Sequence, residues 1–272
     1  MPEGPEIRLS TDALAAVLSN KTVLKLSFGQ PHLRNAGKDF KGKLVRGVEP
    51  RGKAVLTHFE HGISIYSHNQ LYGEWAVFER GTEPTTHKLR RIIIDTADHR
   101  AVLYSASDIQ VLPTTQVLSH PYVAKLGVEL LDPKTTLGEV LAQINHPRWQ
   151  NKLLAQILLD QAFLAGIGNY LRSEILFEAR LHPESKIVQL NLLQRKRLAK
   201  AALVITRRAY NAAGVTNSLA QAKKLKKTGM PYAQYRHHVF DRPLAPCWTC
   251  GHTVERIMLA GRQLFWCQSC QG

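Results

Sequence analysis

The sequence holds no uninterrupted apolar run of the roughly 18 residues needed to span a bilayer. Its greasiest stretch, Leu153 to Ile167, is broken by Gln156, Asp160 and Gln161. The opening Met-Pro-Glu-Gly-Pro-Glu lacks the basic and apolar regions of a secretory signal, so a cytosolic protein is expected. Acidic residues are scarce, and their scarcity is uneven. Between Lys186 and Phe240 stand twelve Lys or Arg and no Asp or Glu, within a chain of net charge +15. Such an imbalance disfavours polycationic partners and points to a polyanion, because binding a polyphosphate releases its condensed counterions. A cationic face serving solubility alone is the plainer alternative. With 272 residues and 44% apolar content there is enough material for about two domains with buried cores.

Cysteine is also sparse, at four residues, all near one end. A reducing compartment makes disulfides unexpected, and the spacing gives the cysteines another use. Cys247 and Cys250 form one C-x2-C pair, sixteen residues intervene, and Cys267 and Cys270 form a second. Two such knuckles can converge four thiolates tetrahedrally on one zinc ion. With all four positions filled by cysteine, no coordination site stays open, and the zinc is expected to be structural.

The hydrophobic period changes along the chain. Residues 5 to 19 read as an amphipathic helix with Pro5 in its first turn and Ile7, Leu14, Val17 and Leu18 on one face. Alternating segments follow at 22–28, 43–48, 54–59, 63–68, 74–78, 91–95 and 101–104, separated by Gly, Pro, Asn or Asp; their recurrence predicts an antiparallel β-sandwich or barrel. Helical spacing takes over at 137–144, 153–159, 170–179 and 190–210. Residues 211 to 235, rich in Lys, Ala, Gly and Asn, show no clear period and predict a mobile loop. The expected class is therefore α+β multidomain, with a β-sandwich domain over 1–125, a helical domain over 126–235 and a zinc ribbon over 236–272. A cleft between the halves is the expected place for substrate.

Two constellations could carry chemistry. Removal of Met1 would leave Pro2 as a free secondary amine, and an α-amino pKa of about 7.7–8.0 leaves about a tenth of it neutral near pH 7. Such an amine can attack a sugar C1′ and form an iminium, with Glu3 and Glu6 beside it. From the residues alone, entry into a helix is the stronger reading of Pro2 and Pro5. The second is Ala165-Gly166-Ile167-Gly168-Asn169, where glycines allow close backbone approach and a helix starting at Asn169 would aim unpaired N–H groups at a phosphate. An interhelical turn capped by Asn169, with no ligand, fits equally well.

Five separated strings, Met-Pro-Glu-Gly-Pro-Glu-Ile, Arg51-Gly52-Lys53, the segment Ser67 to Gly73, the segment Asp160 to Tyr170 and the terminal cysteine ribbon, resemble in this order the formamidopyrimidine-DNA glycosylase and endonuclease VIII family. Gly4 and the Gln70-Leu71-Tyr72 string resemble its endonuclease VIII branch. The likeness covers nearly the whole chain and implies a helix-two-turn-helix fold in the helical domain. It also implies a bifunctional DNA glycosylase and AP lyase of base excision repair. Carried over residue by residue, Pro2 attacks C1′ and holds the sugar as a Schiff base, while Glu3 assists base loss and ring opening. Lys53 donates a proton during glycosidic cleavage and β-elimination.

Gln70, Leu71 and Tyr72 would fill the gap left by the everted base, with Leu71 as an apolar wedge. Asn169 would bind a phosphate beside the lesion. Lys125 stands where endonuclease VIII proteins often have arginine; an ammonium neutralises phosphate but cannot form the bidentate fork. Arg262, next to Gly261 at the expected hairpin turn, would grip phosphates and assist δ-elimination, with Arg256 a weaker candidate. The resemblance implies damaged double-stranded DNA as partner, oxidised pyrimidines as substrate and one structural zinc as cofactor. A bacterial, nucleoid-associated location follows from it, with monomeric action the default. Residues 211–235 match neither branch well, which keeps open an oxidised-purine (formamidopyrimidine or 8-oxoguanine) glycosylase. A non-catalytic zinc-ribbon protein that binds damaged DNA is the alternative of a different class.

Overall fold

The computed structural model describes residues 2–272, and removal of Met1 concerns a residue outside them. Contacts divide the chain into two compact units, residues 6–124 with Pro2, and residues 125–272 together with Glu3–Pro5.

The first unit is built on α1 (Gly4–Leu18), whose residues from Glu6 onward belong to it, and eight antiparallel strands. These are β1 (Lys25–Phe28), β2 (Val45–Arg51), β3 (Ala54–Phe59), β4 (Ile63–His68), β5 (Glu74–Glu79), β6 (Arg90–Asp95), β7 (His99–Tyr104) and β8 (Asp108–Pro113). They form two four-stranded sheets, ordered β1-β6-β7-β5 and β2-β3-β4-β8. Alternation explains the architecture: Leu26, Phe28, Ile92, Ile94, Ala101 and Leu103 of one sheet share a core with Val55, Phe59, Ile65 and Ile109 of the other. Ile7, Leu14 and Leu18 of α1 enter the same core. Strand β8 was not among the expected segments. Only Ile109 and Val111 face its core, between polar Asp108 and Gln110, and Pro113 ends it at the sheet edge.

The second unit contains β9 (Val128–Glu129) paired with β10 (Leu164–Ala165), then α2 (Leu137–Asn145), α3 (Leu154–Ile157), α4 (Asn169–Ala179) and α5 (Leu192–Asn211). Helix starts follow capping chemistry. Thr136 and Glu139 form a capping box at α2, and Asn191 with Gln194 forms one at α5. The expected helix over 153–159 shrinks to the single turn α3. Helix α4 is buried nearly all round and packs on α5 through Leu171, Ile175, Leu198 and Ala202, all fully buried.

The expected mobile loop is largely helical. Helix α6 (Leu219–Lys227), capped by the Ser218 hydroxyl, and the one-turn α7 (Tyr232–Tyr235) occupy it. The period was hidden because only Ala222 and Leu225 of α6 are buried, with four lysines on the remaining surface.

The cysteine ribbon is continuous with this unit. Its hairpin, β11 (Glu255–Leu259) and β12 (Arg262–Trp266), packs Leu264 and Trp266 into the helical core, and the short α8 (Gln268–Gln271) follows it. Phe265 and Cys267 sit against Phe177 of α4. Among the described residues no helix is long and apolar enough to cross a membrane.

Candidate active site

In the first unit, Lys53 lies in the tight turn between β2 and β3, made possible by Gly52 at φ 57°. Its N–H donates to the Tyr122 hydroxyl at 2.8 Å, and the residue is 8% exposed, which removes it from the class of solvated strand-end lysines. Burial lowers the pKa of neighbouring His68; the Asp108 carboxylate opposes that shift and the Lys53 cation adds to it.

Gln70, Leu71 and Tyr72 form the turn between β4 and β5. Gln70 takes φ 52°, its N–H donates to His68 Nδ1 and its Oε1 accepts from the Ser107 hydroxyl. Gly73 closes the turn with its N–H on the Asn69 carbonyl at 2.7 Å; a Cβ there would meet that oxygen at 2.4 Å. On this constrained frame Leu71 is 50% and Tyr72 78% exposed.

In the second unit the glycines of the 165–169 segment serve a purpose different from the one expected. The Glu3 carboxylate occupies the N-terminus of α4 and takes three of its N–H groups. Gly168 and Leu171 N–H donate to Oε2 at 2.7 and 3.2 Å, and Tyr170 N–H donates to Oε1 at 2.8 Å. Gly4 N–H donates to the Gly166 carbonyl at 2.8 Å, and Gly166 has φ 87°. The close approach is that of the chain's own N-terminal segment. A Cβ on Gly168 would lie 2.4 Å from the Glu3 carboxyl carbon, and one on Gly4 would lie 3.1 Å from Gly166 Cα. Three N–H donors and the positive end of the helix stabilise a carboxylate that is only 3% exposed. Pro2, half-buried, is its covalent neighbour.

Asn169 is the first residue of α4, and Gly168 is its cap. The Asn169 side chain donates to the Gln263 carbonyl at 2.8 Å and accepts from Arg172 Nη2 at 2.6 Å. Sequence reasoning passed over Arg172. Fully buried, it also donates to the carbonyls of Ala155, Leu259 and Gln263. Leu259 and Gln263 flank the hairpin tip, where Ala260 and Gly261 both have positive φ and Arg262 opens β12 exposed. Burial first, and then the like charge of Arg262, lower the Arg172 guanidinium to about 10, with Glu3 opposing the shift. Glu3, Asn169, Arg172 and the tip bearing Arg262 thus form one electrostatic group. Lys125 is exposed at the start of the unit, and Arg256 lies exposed on β11.

Glu174, two residues beyond Arg172 and 1% exposed, was missed as well. It accepts from the N–H groups of His238, Val239 and Phe240 and from the Thr216 hydroxyl at 2.6 Å. Against the cost of burial, His237, His238, that hydroxyl and the backbone hold the carboxyl below its usual range. The signal for both residues was an acid and a base inside a helix with no polar face.

The four cysteine sulfurs lie within 4.8 Å of one another, with Cys250–Cys267 at 3.4 Å and Cys247–Cys270 at 3.9 Å. Zn–S bonds of about 2.3 Å arranged tetrahedrally require S···S separations of about 3.8 Å. The donor set fits zinc. Burial and the adjoining Cys250 sulfur push the Cys267 thiol up to about 12, so crowded thiolates need the metal's charge to coexist.

Known proteins share this architecture. Residues 1–107 match the formamidopyrimidine-DNA glycosylase N-terminal domain, and residues 126–221 match the formamidopyrimidine-DNA glycosylase H2TH domain. The chain is 42% identical over 271 residues to proteins named Endonuclease 8 from Escherichia coli O17:K52:H18 and from Salmonella heidelberg, with each chain covered completely. Among solved structures it is similar to Lactococcus lactis Fpg bound to DNA containing N7-benzyl-Fapy-dG, and to the same enzyme bound to DNA containing an oxidised pyrimidine. Both give a TM-score of 0.81 at 21% identity over 99% of each chain. The chain belongs to the formamidopyrimidine-DNA glycosylase and endonuclease VIII family, whose members are DNA glycosylases with AP lyase activity.

Proposed function

We propose that this base-excision glycosylase and AP lyase removes oxidised pyrimidines from duplex DNA, with Pro2 as its nucleophile, in the cytoplasm of a bacterium. The observation that carries the mechanism is the Glu3 carboxylate, locked by three N–H donors directly after Pro2 in the chain. The Pro2 nitrogen bonds to C1′ and the C1′–base bond breaks, its electron pair leaving with the base, which takes up a proton. Opening of the C1′–O4′ bond then gives an iminium. Loss of a C2′ proton expels the 3′ phosphate, and a second elimination expels the 5′ phosphate. Glu3, held in one orientation, serves the proton transfers at the sugar, and a positioned group of this kind contributes about 10²–10⁴-fold. Lys53 supplies a cation and a proton during base loss.

Leu71, standing out from its turn, replaces the everted base in the stack; Tyr72 and Gln70 close the gap. Asn169, Lys125 and Arg262 bind phosphates, and Arg262 stabilises the departing one. Cys247, Cys250, Cys267 and Cys270 would hold a zinc ion whose contribution is structural, keeping the hairpin tip folded. Preference for pyrimidines is supported by the 42% identity to proteins named Endonuclease 8. Its test is single-turnover excision from duplexes carrying thymine glycol or 8-oxoguanine. Faster release of thymine glycol is expected; faster release of the purine would overturn the preference.

A further inference from the structure

Helix α6 presents Lys223, Lys224, Lys226 and Lys227, all exposed, on a helix of nine residues. Among the described residues no ion pair engages any of them. The nearest Asp or Glu in sequence are Glu184 and Asp241, far outside the segment. Like charges three and four positions apart oppose a helix, so the cluster works against the local fold.

A solvated tail would be expected to stay loose, yet this segment is tied at its base. Thr216 and Asn217 N–H donate to the Arg236 carbonyl at 2.8 and 3.0 Å, and Asn217 Nδ2 donates to the Tyr235 carbonyl at 3.0 Å. The Tyr232 hydroxyl donates to the Ala213 carbonyl at 2.6 Å, and the Thr216 hydroxyl donates to buried Glu174. Ala222 and Leu225 fasten the inner face. The result is a fixed arm with four uncompensated cations on its outer side.

We propose that α6 is a second DNA-backbone contact, one that grips duplex phosphates without regard to sequence or damage and raises affinity for undamaged DNA. The inference rests on the glycosylase reading for its choice of polyanion. From Lys223 to Lys227 the helix rises about 6 Å. A duplex strand offers a phosphate about every 3.4 Å of axis, so this rise covers nearly two phosphate spacings and the lysines can reach at least two phosphates.

The test is equilibrium binding to undamaged duplex across salt concentrations, using the full zinc-bound chain. Neutralising two phosphates contributes about 2 to the slope of log K against log salt. The variant K223Q/K224Q/K226Q/K227Q is expected to lose about that much slope and to bind at least about tenfold more weakly at ~0.15 M salt. The variant with arginine at all four positions is expected to keep the slope. A control removing the same charge from exposed lysines of the first unit, K21Q/K25Q/K38Q/K41Q, is expected to lose clearly less. An unchanged slope in the glutamine variant overturns the proposal. So does equal loss in the control, which would assign the effect to net charge, or loss in the arginine variant, which would assign it to something other than charge. Because undamaged DNA undergoes no reaction, this outcome is independent of whether Pro2 forms a covalent intermediate.

Discussion

The Gln70–Tyr72 turn of the first unit and the Glu3–Arg172 group of the second invert the usual rule of burial in opposite senses. The turn holds two large apolar side chains out in water on a hydrogen-bonded frame. The second unit buries a carboxylate and a guanidinium beneath an exposed hairpin arginine. An exposed leucine and tyrosine contribute little to folding stability and are free to meet a partner, the role proposed for them above. Buried charges are costly unless every polar contact is made, so they fix geometry tightly. On the proposed function, the first feature is therefore expected to tolerate change for folding and not for recognition, and the second to tolerate it for neither.

The sharpest way to break this contrast is Gly168→Ala. Its methyl group would overlap the Glu3 carboxyl carbon, and displacement of the carboxylate by about 1 Å costs about 100-fold in rate. Single-turnover strand scission should fall by about that factor; a near-normal rate would show that Glu3 need not sit on α4.

Acidity sharpens the comparison next. Burial lowers the His237 pKa from 6.5 to about 4 in the fold. The unfolded chain then binds the proton better, so its contribution is complete above pH 6.5, is lost as pH falls from there toward 4, and levels off below. Between pH 7 and pH 5 His237 by itself should cost about 2 kcal/mol of stability, a fall of roughly 4–8 °C in the melting temperature. The drop should shrink by about that amount in His237→Gln, and an equal drop in both proteins would contradict the assignment.

The smallest effect on stability belongs to the turn. Leu71→Ala should change the free energy of unfolding by less than about 0.5 kcal/mol, because the side chain is half exposed. Excision of a damaged base should nonetheless slow by about tenfold, the loss of roughly 1.4 kcal/mol of wedge contact. A large loss of stability would return Leu71 to the core.

These two regions also differ in what the sequence discloses. Paired C-x2-C knuckles identify a metal centre by spacing alone, because thiolate ligation needs little else. Period-2 alternation discloses seven of the first unit's eight strands, and β8 escapes because its side toward the shared core carries only Ile109 and Val111. The union of Glu3 with α4 spans 165 positions in sequence, so the glycines that permit it looked like a ligand cradle. Arg172 and Glu174 are hidden for a related reason: most of their partners are backbone groups of distant segments, which carry no sequence signature. In α6 the lysines that mask the helical period are the ones to which we assign a role.

The most direct measurement of the central claim is borohydride trapping on a duplex containing an abasic site. Correctly processed protein should yield a covalent protein–DNA adduct, and Pro2→Gly or a blocked N-terminus should weaken or abolish it. Absence of an adduct with the unblocked protein, or an undiminished adduct when Pro2 is blocked, would contradict the account.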